Sequence, residues 1–532
     1  MGGLAVACAA AAVSVAVPTS QGAAQAVRVS ADPGLSPSFN ASTSDYVSGC
    51  GKDRPLKLSL NAPSGSTVSV DGAKARSGSF SVTVDLHVNQ AARLVVTSGG
   101  RRSDYHVRCL PSSFPRWRFE RSGEPQAEWL LMAPVAPTSA TAARSHFVTI
   151  VDRRGVPIWW VREKVSPFNS VLLPGGDIAW TRFYGDPFGM RSTAAWEVHR
   201  LDGSLVRTLQ TNGSPADTHD MEPLSDGDYL LTTYRLRHNV DLSKYGHSAH
   251  AAVLDGEIQE ITPSGQEVWS WNSKDHIGLD ETQAWSHAKR TTLGGTRAWD
   301  VFHLNSVAED GHGGLVISAR HVNAVYDIDR LSGNVKWKLG GTRTPQSLKV
   351  VGDPRKPTFG LQHDARVLPD GTITVFDNRT QVSKPRAVRF AINPSKRTAT
   401  FVQEITDPEA PTSGSMGSAR RLAGADWVIS WGGTKLVSEI SGSGRVAWRL
   451  KFADSISYRV TPIPFGTFQA TTLRRAMDRM HPRRYERSGW ARRLRWRSPR
   501  PWLLRRAARL AARRTGSGSA HSPASSRRST PV

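Results

Sequence analysis

Three histidines stand at the same position of a repeated sequence unit. His219, His303 and His363 each precede a short run that is typical of an inner strand, and Arg320 ends the run that follows His303. In a cyclic repeat fold, equivalent positions of different units meet near the axis. We therefore expect three imidazoles and one guanidinium to converge at one site.

Two chemistries fit such a cluster. Histidine is the commonest metal ligand in proteins, whereas arginine offers a planar fork of donors to a sulfate or phosphate group. The presence of Arg320 favours the anion, because a guanidinium and a divalent cation repel each other. The sequence therefore predicts an oxyanion site without a metal and without a cofactor. A histidine in it is expected to accept the anionic group covalently.

The carboxylates near these histidines do not suggest another chemistry. Asp220 and Asp364 directly follow their histidines, so on a strand they are expected to point to the opposite face. There they would hold backbone groups or orient a histidine from behind. No pair of recurring carboxylates is seen, and glycosidase chemistry is therefore disfavoured.

The repeat that positions these residues consists of a lead, a leucine, a glycine-containing turn and an apolar strand. It begins at Asn169, His219, His303, Gln362 and Ser418, and the segments EWLLMAPV and HFVTIVDRRGVPIWWV supply an earlier unit. A second element with a glycine four residues before a tryptophan follows in SGQEVWSW, SGNVKWKLGG and SGRVAWRL. Six units of short strands predict an all-β fold, a six-bladed β-propeller over residues 116–468. An open β-solenoid is the alternative.

Residues 27–115 have a different pattern. The runs LKLSLNA, STVSVDG, SFSVTVDL, ARLVVTS and SDYHVRC alternate between apolar and polar residues and are separated by turn residues. This spacing is typical of a small antiparallel β-sandwich. Cys50 and Cys109 are expected on its first and last strands.

Several segments resemble one known family, the bacterial arylsulfate sulfotransferases. The resemblance rests on HDMEPLSDGDYLL, FHLNSV, SARHVNAVYDIDRLSGNVKWKLGG and LQHDARVLPDGTITVFDN, and it extends over residues 120–465. It implies an exported six-bladed propeller that uses no nucleotide sulfate donor. The ends of the N-terminal region, FNASTSDYV and YHVRCLP, resemble the cadherin-like or immunoglobulin-like sandwich of some members.

The resemblance also implies residue roles. The histidine of the QHD motif, here His363, is the nucleophile that becomes sulfated. His219, His303 and Arg320 are expected to assist catalysis, and Asn305 is expected to bind the sulfuryl group. Some enterobacterial members carry a disulfide near the nucleophile, whereas the predicted propeller contains no cysteine.

The N-terminal residues favour export. Residues 1–26 are uncharged and rich in small apolar residues, and they end in Ala-Gln-Ala, which is typical of a signal peptide. Removal of this segment takes Cys8 away, and the remaining pair, Cys50 and Cys109, predicts one disulfide. Closure of that loop stabilises the fold by roughly 4 kcal/mol. With only 3 Cys in the chain, a disulfide-dense scaffold and a multi-cysteine zinc site are excluded.

Most of the net charge of +24 belongs to a C-terminal tail, predicted over residues 469–532. Residues 471–532 contain 18 Arg, no Lys and two acidic residues, so they carry +16 and leave +8 for the rest. We expect the tail to be largely disordered, with a short amphipathic helix around WLLRRAARLAARR. It suits an anionic membrane or cell-envelope surface. Nucleic acid is not an expected partner of an exported chain.

The sequence therefore predicts an exported, extracellular or envelope-associated enzyme. It moves a sulfuryl group from an aryl sulfate to a phenol by a ping-pong mechanism. Two alternatives stay open at this stage. One is a propeller that binds anionic glycans without catalysis, and the other is a metal-assisted lyase or hydrolase.

Overall fold

A computed structural model describes residues 26–136, 146–183, 194–286, 288, 290–380 and 382–483. The described residues as far as Arg483 form one compact unit. The predicted signal peptide, except Ala26, lies outside the described residues, as does most of the predicted tail. Within the described part of the chain, no helix has the length and apolar character that are needed to cross a bilayer.

The N-terminal region is a sandwich of two sheets. Its eight strands are β1 (Arg28–Asp32), β2 (Leu35–Ser36), β3 (Asp45–Ser48), β4 (Leu56–Ala62), β5 (Ser66–Val70), β6 (Gly78–Val84), β7 (Ala91–Ser98) and β8 (Arg101–Cys109). One sheet has the order β1-β4-β6 and the other has the order β2-β3-β8-β7-β5. Strand β4 buries every second side chain, as its alternating sequence predicts.

Cys50 and Cys109 form a disulfide. It lies where the parallel strands β3 and β8 end side by side. The prediction that the bridge starts at the first strand is wrong, because Cys50 follows the third strand. The bridge therefore joins two neighbouring strands of one sheet, and both sulfur-bearing residues are buried.

The rest of the described chain is mostly strand. In chain order, the strands are β9 (Trp117–Arg121), β10 (Trp129–Val135), β11 (Phe147–Asp152), β12 (Pro157–Arg162), β13 (Ser166–Leu172), β14 (Ile178–Phe183), β15 (Trp196–His199), β16 (Leu205–Leu209), β17 (Ala216–Pro223), β18 (Tyr229–Val240), β19 (Ala251–Ile261), β20 (Glu267–Asn272), β21 (Arg290–Leu293), β22 (Thr296–Asp300), β23 (Leu304–Glu309), β24 (Gly314–Ala319), β25 (Ala324–Asp329), β26 (Val335–Gly340), β27 (Lys349–Val351), β28 (His363–Val367), β29 (Ile373–Asp377), β30 (Arg386–Asn393), β31 (Thr398–Ile405), β32 (Ser418–Arg421), β33 (Trp427–Ser430), β34 (Leu436–Ile440), β35 (Val446–Phe452) and β36 (Ile456–Ile463).

Most of these strands form six four-stranded antiparallel units, which we call blades 1 to 6, and β22 and β27 pair in parallel with strands of blades 2 and 4. From the inner to the outer strand, the blades are β13–β16, β17–β20, β23–β26, β28–β31, β32–β35 and, for blade 6, β36 followed by β10, β11 and β12. The inner strands contact one another in the cyclic order β13, β17, β23, β28, β32, β36 and back to β13. The prediction of a six-bladed propeller is therefore confirmed.

The ring is closed by pairing between the two ends of the propeller. Strand β36 is the inner strand of the blade to which β10 belongs, with Trp129 opposite Ile463. Strand β9 adds a fifth, outermost strand to blade 5 beside β35. Closure therefore rests on two strand pairs whose members are more than 300 residues apart in sequence.

The blades pack through large apolar side chains. Trp159, Trp160, Trp180, Trp196, Trp427, Trp431 and Trp448 are among the largest fully buried residues. The tryptophans of the repeated glycine-tryptophan element lie on the outer strands β20, β26 and β35. Burial of such faces between neighbouring blades holds the cyclic arrangement together.

The start of the predicted tail is an ordered helix. Helix α1 (Ala470–Met480) buries Leu473, Ala476 and Met477 and packs against β12. Its Arg474 forms an ion pair with Asp45 of the sandwich. The sequence pattern obscured this helix, because the arginines on its other face made the segment resemble the rest of the basic tail.

Candidate functional site

Each of the three histidines lies in or next to an irregular part of an inner strand. A β-bulge or similar irregularity interrupts the pairing between Ala216 and Met221, between Leu304 and Ser306, and between His363 and Arg366. Such an irregularity breaks the strict alternation of side chains and re-aims the residues within it. His219 lies inside the first one and His363 begins the third, whereas His303 directly precedes the strand that contains the second.

The backbone near the site is strained as well. His303, Leu361, Asp364 and Met416 have φ values of 56°, 60°, 58° and 65°. Non-glycine residues adopt this left-handed region rarely, and they do so mostly where surrounding contacts enforce it. The concentration of such residues here indicates that the site is held in a defined geometry.

The imidazoles of His219 and His303 lie side by side. Their ring centroids are 4.9 Å apart and their planes are 76° apart. The Nδ1 atom of His219 lies 2.7 Å from the Oδ2 atom of Asp217, and the Nδ1 atom of His303 contacts the Oδ2 atom of Asp300. A carboxylate accepts a hydrogen bond from Nδ1–H, so each ring presents Nε2 as its proton-accepting atom.

His363 has the same tautomer with a neutral partner. Its Nδ1 atom lies 2.7 Å from the Oδ1 atom of Asn378 and 3.2 Å from the carbonyl oxygen of Leu361. Both partners accept hydrogen bonds, which places the proton on Nδ1 and the lone pair on Nε2. The backbone N–H of Met416 donates to that Nε2 atom at 3.2 Å. The tautomer is therefore the one that a nucleophilic Nε2 requires.

Arg320 is held by two contacts. One terminal nitrogen donates to the Nε2 atom of His321 at 2.7 Å, and the other donates to the carbonyl oxygen of Gly414 at 2.8 Å. His321 in turn donates from Nδ1 to the carbonyl oxygen of Asp300 at 2.6 Å. A chain of contacts thus runs from Arg320 through His321 to Asp300, whose carboxylate orients His303.

One loop connects Arg320 to His363. Residues 413–416 contribute the carbonyl oxygen that accepts from Arg320 and the N–H that donates to His363. Asn378 donates to the Oγ atom of Ser413 and to the carbonyl oxygen of Met416, at 2.8 and 2.9 Å. The loop and Asn378 therefore fix the guanidinium and the imidazole relative to each other.

Burial keeps the imidazoles of His303 and His363 neutral. It lowers the pKa of His363 well below its usual value, and the nearby charge of Arg320 acts in the same direction against the weaker effect of Asn378. Burial, with His219 and Arg320, also lowers the pKa of His303 well below its usual value. Burial lowers the pKa of Arg320 only to about 10, so this side chain stays charged at neutral pH. The site thus combines the neutral imidazoles of His303 and His363 with one cation.

Asn305 lies beside these groups, but its side-chain amide is engaged with a backbone carbonyl group. Its side-chain amide donates to the carbonyl oxygen of Gln362 at 2.9 Å, across the boundary between blades 3 and 4. Asn169 makes the equivalent contact with the carbonyl oxygen of His219. The amide of Asn305 is therefore used to hold the residue before His363.

The two aspartates that directly follow histidines bind backbone N–H groups of the next blade. Binding of backbone groups is one of the two roles that the sequence predicts for them. Asp220 accepts from the N–H of Val307 at 2.9 Å, and Asp364 accepts from the N–H of Ala419 at 3.1 Å. The carboxylates that orient the histidine rings are instead those that precede them in sequence. In DTHD and WDVFH the aspartates precede the histidines by two and three residues, and these short spacings are the sequence signal for Asp217 and Asp300.

Sequence reasoning also missed the roles of His321 and Asn378. His321 directly follows Arg320 in the motif SARH, so proximity in sequence was a usable signal. Asn378 follows β29, and it reaches His363 only because β28 and β29 pair as a hairpin. The loop at residues 413–416 carried no recognisable signal.

Two groups of side chains among the described residues have the spacing of a metal site, and one of them belongs to the histidine cluster. Ligand atoms of Asp300, His303 and His321 lie within 4.8 Å of one another. Both ring nitrogens of His321 already have partners, since Nδ1 donates to a carbonyl and Nε2 accepts from Arg320. A metal ion at this position would have to replace a guanidinium. The donor set therefore fits a hydrogen-bonded chain better than a metal.

Comparison with known families identifies the central part of the chain. Residues 190–453 match the family model described as arylsulfotransferase (ASST). The chain contains an arylsulfotransferase domain. The matched range includes His219, His303, Asn305, Arg320 and His363, and the resemblance found from the sequence motifs is thereby confirmed.

The solved structures that resemble this chain are distant from it in sequence. A protein of unknown function from Bacteroides caccae is 12% identical, with a TM-score of 0.39 over 64% of this chain and 99% of its own. Virginiamycin B lyase from Staphylococcus aureus is 10% identical, with a TM-score of 0.33 over 64% of this chain and 89% of its own. The β-propeller domain of Cps50 (Swd1) from Myceliophteria thermophila is 11% identical, with a TM-score of 0.34 over 66% of this chain and 87% of its own. No curated protein sequence matches the chain significantly.

Proposed function

We propose that the protein transfers a sulfuryl group from an aryl sulfate to a phenol through a sulfated His363. The observation that carries this proposal is the hydrogen bonding of His363, which places the proton on Nδ1 and the lone pair on Nε2. A neutral buried imidazole beside a fixed guanidinium suits attack on an anionic group. The family of the domain supports the substrate classes.

The reaction has two halves. In the first, the Nε2 atom of His363 attacks the sulfur of the aryl sulfate, the N–S bond forms, and the S–O bond to the ring breaks with release of a phenolate. In the second, the oxygen of an acceptor phenol attacks the sulfur, the N–S bond breaks, and the phenol proton passes to a base. Donor and acceptor use the same site in turn, which defines a ping-pong mechanism.

Arg320 is the residue that we assign to the sulfuryl oxygens. Its Nε atom is buried and has no hydrogen-bond partner among the described residues. Buried donors normally have an acceptor, and a sulfuryl oxygen supplies one. A preorganised guanidinium stabilises the negative charge that develops on those oxygens. Asn305 then acts mainly by positioning Gln362 and His363.

His219 or His303 is proposed to exchange the phenol proton. Each has a carboxylate on Nδ1, which stabilises the imidazolium that forms when Nε2 accepts a proton. The close approach of the two rings allows either one to serve a substrate bound at His363. Phenols have a pKa near 10, so a base is needed chiefly for the acceptor half-reaction.

Kinetics with 4-nitrophenyl sulfate test the proposal. We expect nitrophenol release that is stimulated by added phenol, needs no nucleotide and gives parallel double-reciprocal lines. His363→Asn should abolish turnover, and the exposed His312→Gln should keep it. Mass spectrometry of protein treated with donor alone should find one added sulfuryl group on His363. Full activity of His363→Asn would exclude the covalent mechanism.

The same assay separates the alternatives. Loss of activity after chelation, restored by a divalent metal, would favour metal-assisted catalysis at Asp300, His303 and His321. Saturable anion binding without turnover, which survives His363→Asn but not Arg320→Ala, would favour a non-catalytic glycan-binding propeller. The proposed transferase should be insensitive to chelators.

We also propose that the protein acts outside the cytoplasm. The disulfide of the sandwich supports this, because such bonds form and persist in oxidising compartments. The uncharged, alanine-rich N-terminal segment supports it as well. Fractionation of producing cells, with N-terminal sequencing of the mature chain, tests it. Binding of the basic tail to an anionic surface stays a prediction.

A further inference from the structure

Beyond the histidines, the inner strands carry a second set of side chains, which we call the arginine layer. It lies farther along the same strands, toward their C-terminal ends, and consists of Asp220, Asp364, Arg366, Arg420 and Arg459. Asp220 accepts from Arg366 at 2.7 Å and from Arg459. Asp364 accepts from Arg420 at 2.7 Å. None of these residues forms part of the histidine site.

The arginine layer has an excess of positive charge. Three guanidiniums face two buried carboxylates, so one positive charge is not balanced within the layer. Burial opposes the charge of Asp364, but Arg420, Arg366 and Arg459 outweigh it and lower the pKa of Asp364 to about 2. Asp364 is therefore already ionised, and the other acidic groups near the layer are Glu222 and Glu309 in the wall of the adjoining cavity.

This excess charge faces a cavity. A space of about 750 Å³ opens at the ends of the inner strands, and its lining includes Arg366, Arg420 and Arg421. The guanidinium of Arg421 forms no hydrogen bond or ion pair within the described part of the chain, and that of Arg420 uses one terminal nitrogen for Asp364. Two guanidiniums thus offer donors at the wall of a space large enough for a small organic molecule.

Part of the remaining wall of the cavity is apolar. Leu368, Leu422, Ile463 and Pro464 contribute to it, and Phe465 stands at its edge with 87% of its surface exposed. An exposed phenylalanine beside a polar recess is a typical contact for an aromatic or aliphatic ring. The lining therefore fits a molecule with one anionic group and an apolar body.

We infer that this cavity is a second binding site, which takes an organic oxyanion such as an aryl sulfate, sulfonate or carboxylate. The oxyanion accepts hydrogen bonds from Arg420 and Arg421, and the apolar body packs on Leu422 and Phe465. The site lies at the mouth of the channel opposite the histidines. It involves no residue of the proposed transfer reaction.

Glu222 tunes the site. This carboxyl lines the same cavity, and burial, together with Asp220 and Glu309 and against Arg366 and Arg420, raises its pKa to about 7. An ionised Glu222 competes with the ligand for the guanidiniums. Binding should therefore weaken as the pH rises through 7, because Glu222 then loses its proton.

Calorimetric titration of the full chain with 4-bromobenzenesulfonate tests the inference. The C–S bond of this probe cannot donate a sulfuryl group, so no turnover disturbs the measurement. Arg421→Gln should weaken one class of binding site by about tenfold, the cost of losing a hydrogen bond to a charged group. Arg153→Gln, which removes the same charge from an exposed position, should bind like the wild type.

A second pair of measurements checks the apolar part of the site. Phe465→Ala alters an exposed side chain and should not disturb folding. The substitution should weaken the binding of 4-bromobenzenesulfonate severalfold and leave the binding of methanesulfonate unchanged. If inorganic sulfate binds this site as tightly as the aryl sulfonate, the organic ligand class is wrong and only an anion site remains.

Two results would overturn the inference. One is an Arg421→Gln protein that unfolds like the wild type and binds the probe with the same affinity and stoichiometry. The other is a bromine anomalous signal, in crystals of the complex, at the histidines but not beside Arg420. Glu222→Gln tests the proposed pH dependence. The affinity of this variant for 4-bromobenzenesulfonate should not fall between pH 6 and 8.

Discussion

The channel of the propeller contains two polar layers built on the same inner strands, and they differ in how their contacts run. In the histidine layer, two rings are oriented from their own blade: His219 by Asp217, and His363 by Asn378. The third ring, that of His303, is oriented by Asp300, which ends a strand in the sheet of the preceding blade. In the arginine layer, the contacts join different blades, as between Asp220 and Arg366. Adjacent residues of one strand, His363 and Asp364, thus belong to different systems.

This difference indicates a division of labour. Side chains that are oriented within one blade can be replaced without opening the ring, and their loss should appear in catalysis. Side chains that connect blades hold the ring closed, and their loss should appear in stability. Substitutions in the two layers test this division between catalytic and structural side chains.

Asp364→Asn should lower the free energy of unfolding by about 3–5 kcal/mol, because removal of one partner leaves buried guanidiniums uncompensated. Asp370→Asn affects an exposed pair with Arg389 and should cost at most about 1 kcal/mol. Urea unfolding followed by tryptophan fluorescence measures both. Because the pKa of Asp364 is lowered to about 2, its contribution is full above pH 4 and is lost as the pH falls toward 2. Equal stability of the two variants would contradict the division.

Arg320→Gln should reduce kcat by about 10²–10³, the typical effect of removing one preorganised donor to a developing charge. The melting temperature should change little, because the main contacts of Arg320 are with His321 and one loop carbonyl. Initial rates with 4-nitrophenyl sulfate and phenol give the effect, and Arg153→Gln controls for loss of charge. A large fall in stability with unchanged kcat would assign Arg320 to the structural layer instead.

Asn378→Ala should reduce kcat by about 10–100-fold, as expected for a residue that orients a reacting imidazole. The KM of the donor should change less than kcat, since Asn378 contacts His363 directly and reaches Arg320 only through the loop at residues 413–416. Asn378→Asp keeps the acceptor for Nδ1–H and should recover part of the rate. A change confined to KM would mean that Asn378 acts on substrate binding rather than on His363.

The pH profile provides the smallest expected change. Because burial lowers the pKa of His363 well below its usual value, we expect the proposed nucleophile to be neutral at the pH values of ordinary assays, between 6 and 8. The kcat/KM for 4-nitrophenyl sulfate should therefore be flat across that range and should fall only at more acidic pH. A midpoint near 6.5 would show that His363 titrates like an exposed histidine.

The sequence was sufficient for much of the fold because the blades are local hairpins. Each repeat places two neighbouring strands and their turn within about twenty residues, so alternation and turn residues were visible directly. The cyclic closure was less visible, because β36 pairs with β10 and no short-range pattern records such a contact. The inner strand of blade 6 was accordingly missed.

The sequence likewise predicted part, but not all, of the candidate site. Repeat equivalence identified His219, His303 and His363, but not the residues that orient them. Asp217 and His219 lie within one bulge, which has no clear sequence signature, and Asp300 ends a strand of the neighbouring sheet. Asn378 and the loop at residues 413–416 depend on tertiary pairing, so only the structure revealed them.

The double closure of the ring has a consequence for the order in which the molecule matures. Strand β36 supplies Arg459, which contacts Asp220 and the carbonyl oxygen of Asn305. Neither the sixth blade nor the channel can therefore assemble before residue 463 is available to pair with Trp129. A chain delivered from its N-terminus across a membrane would stay inactive until nearly all of its described length had emerged. Such a delay confines the sulfuryl chemistry to the compartment in which the chain completes its folding.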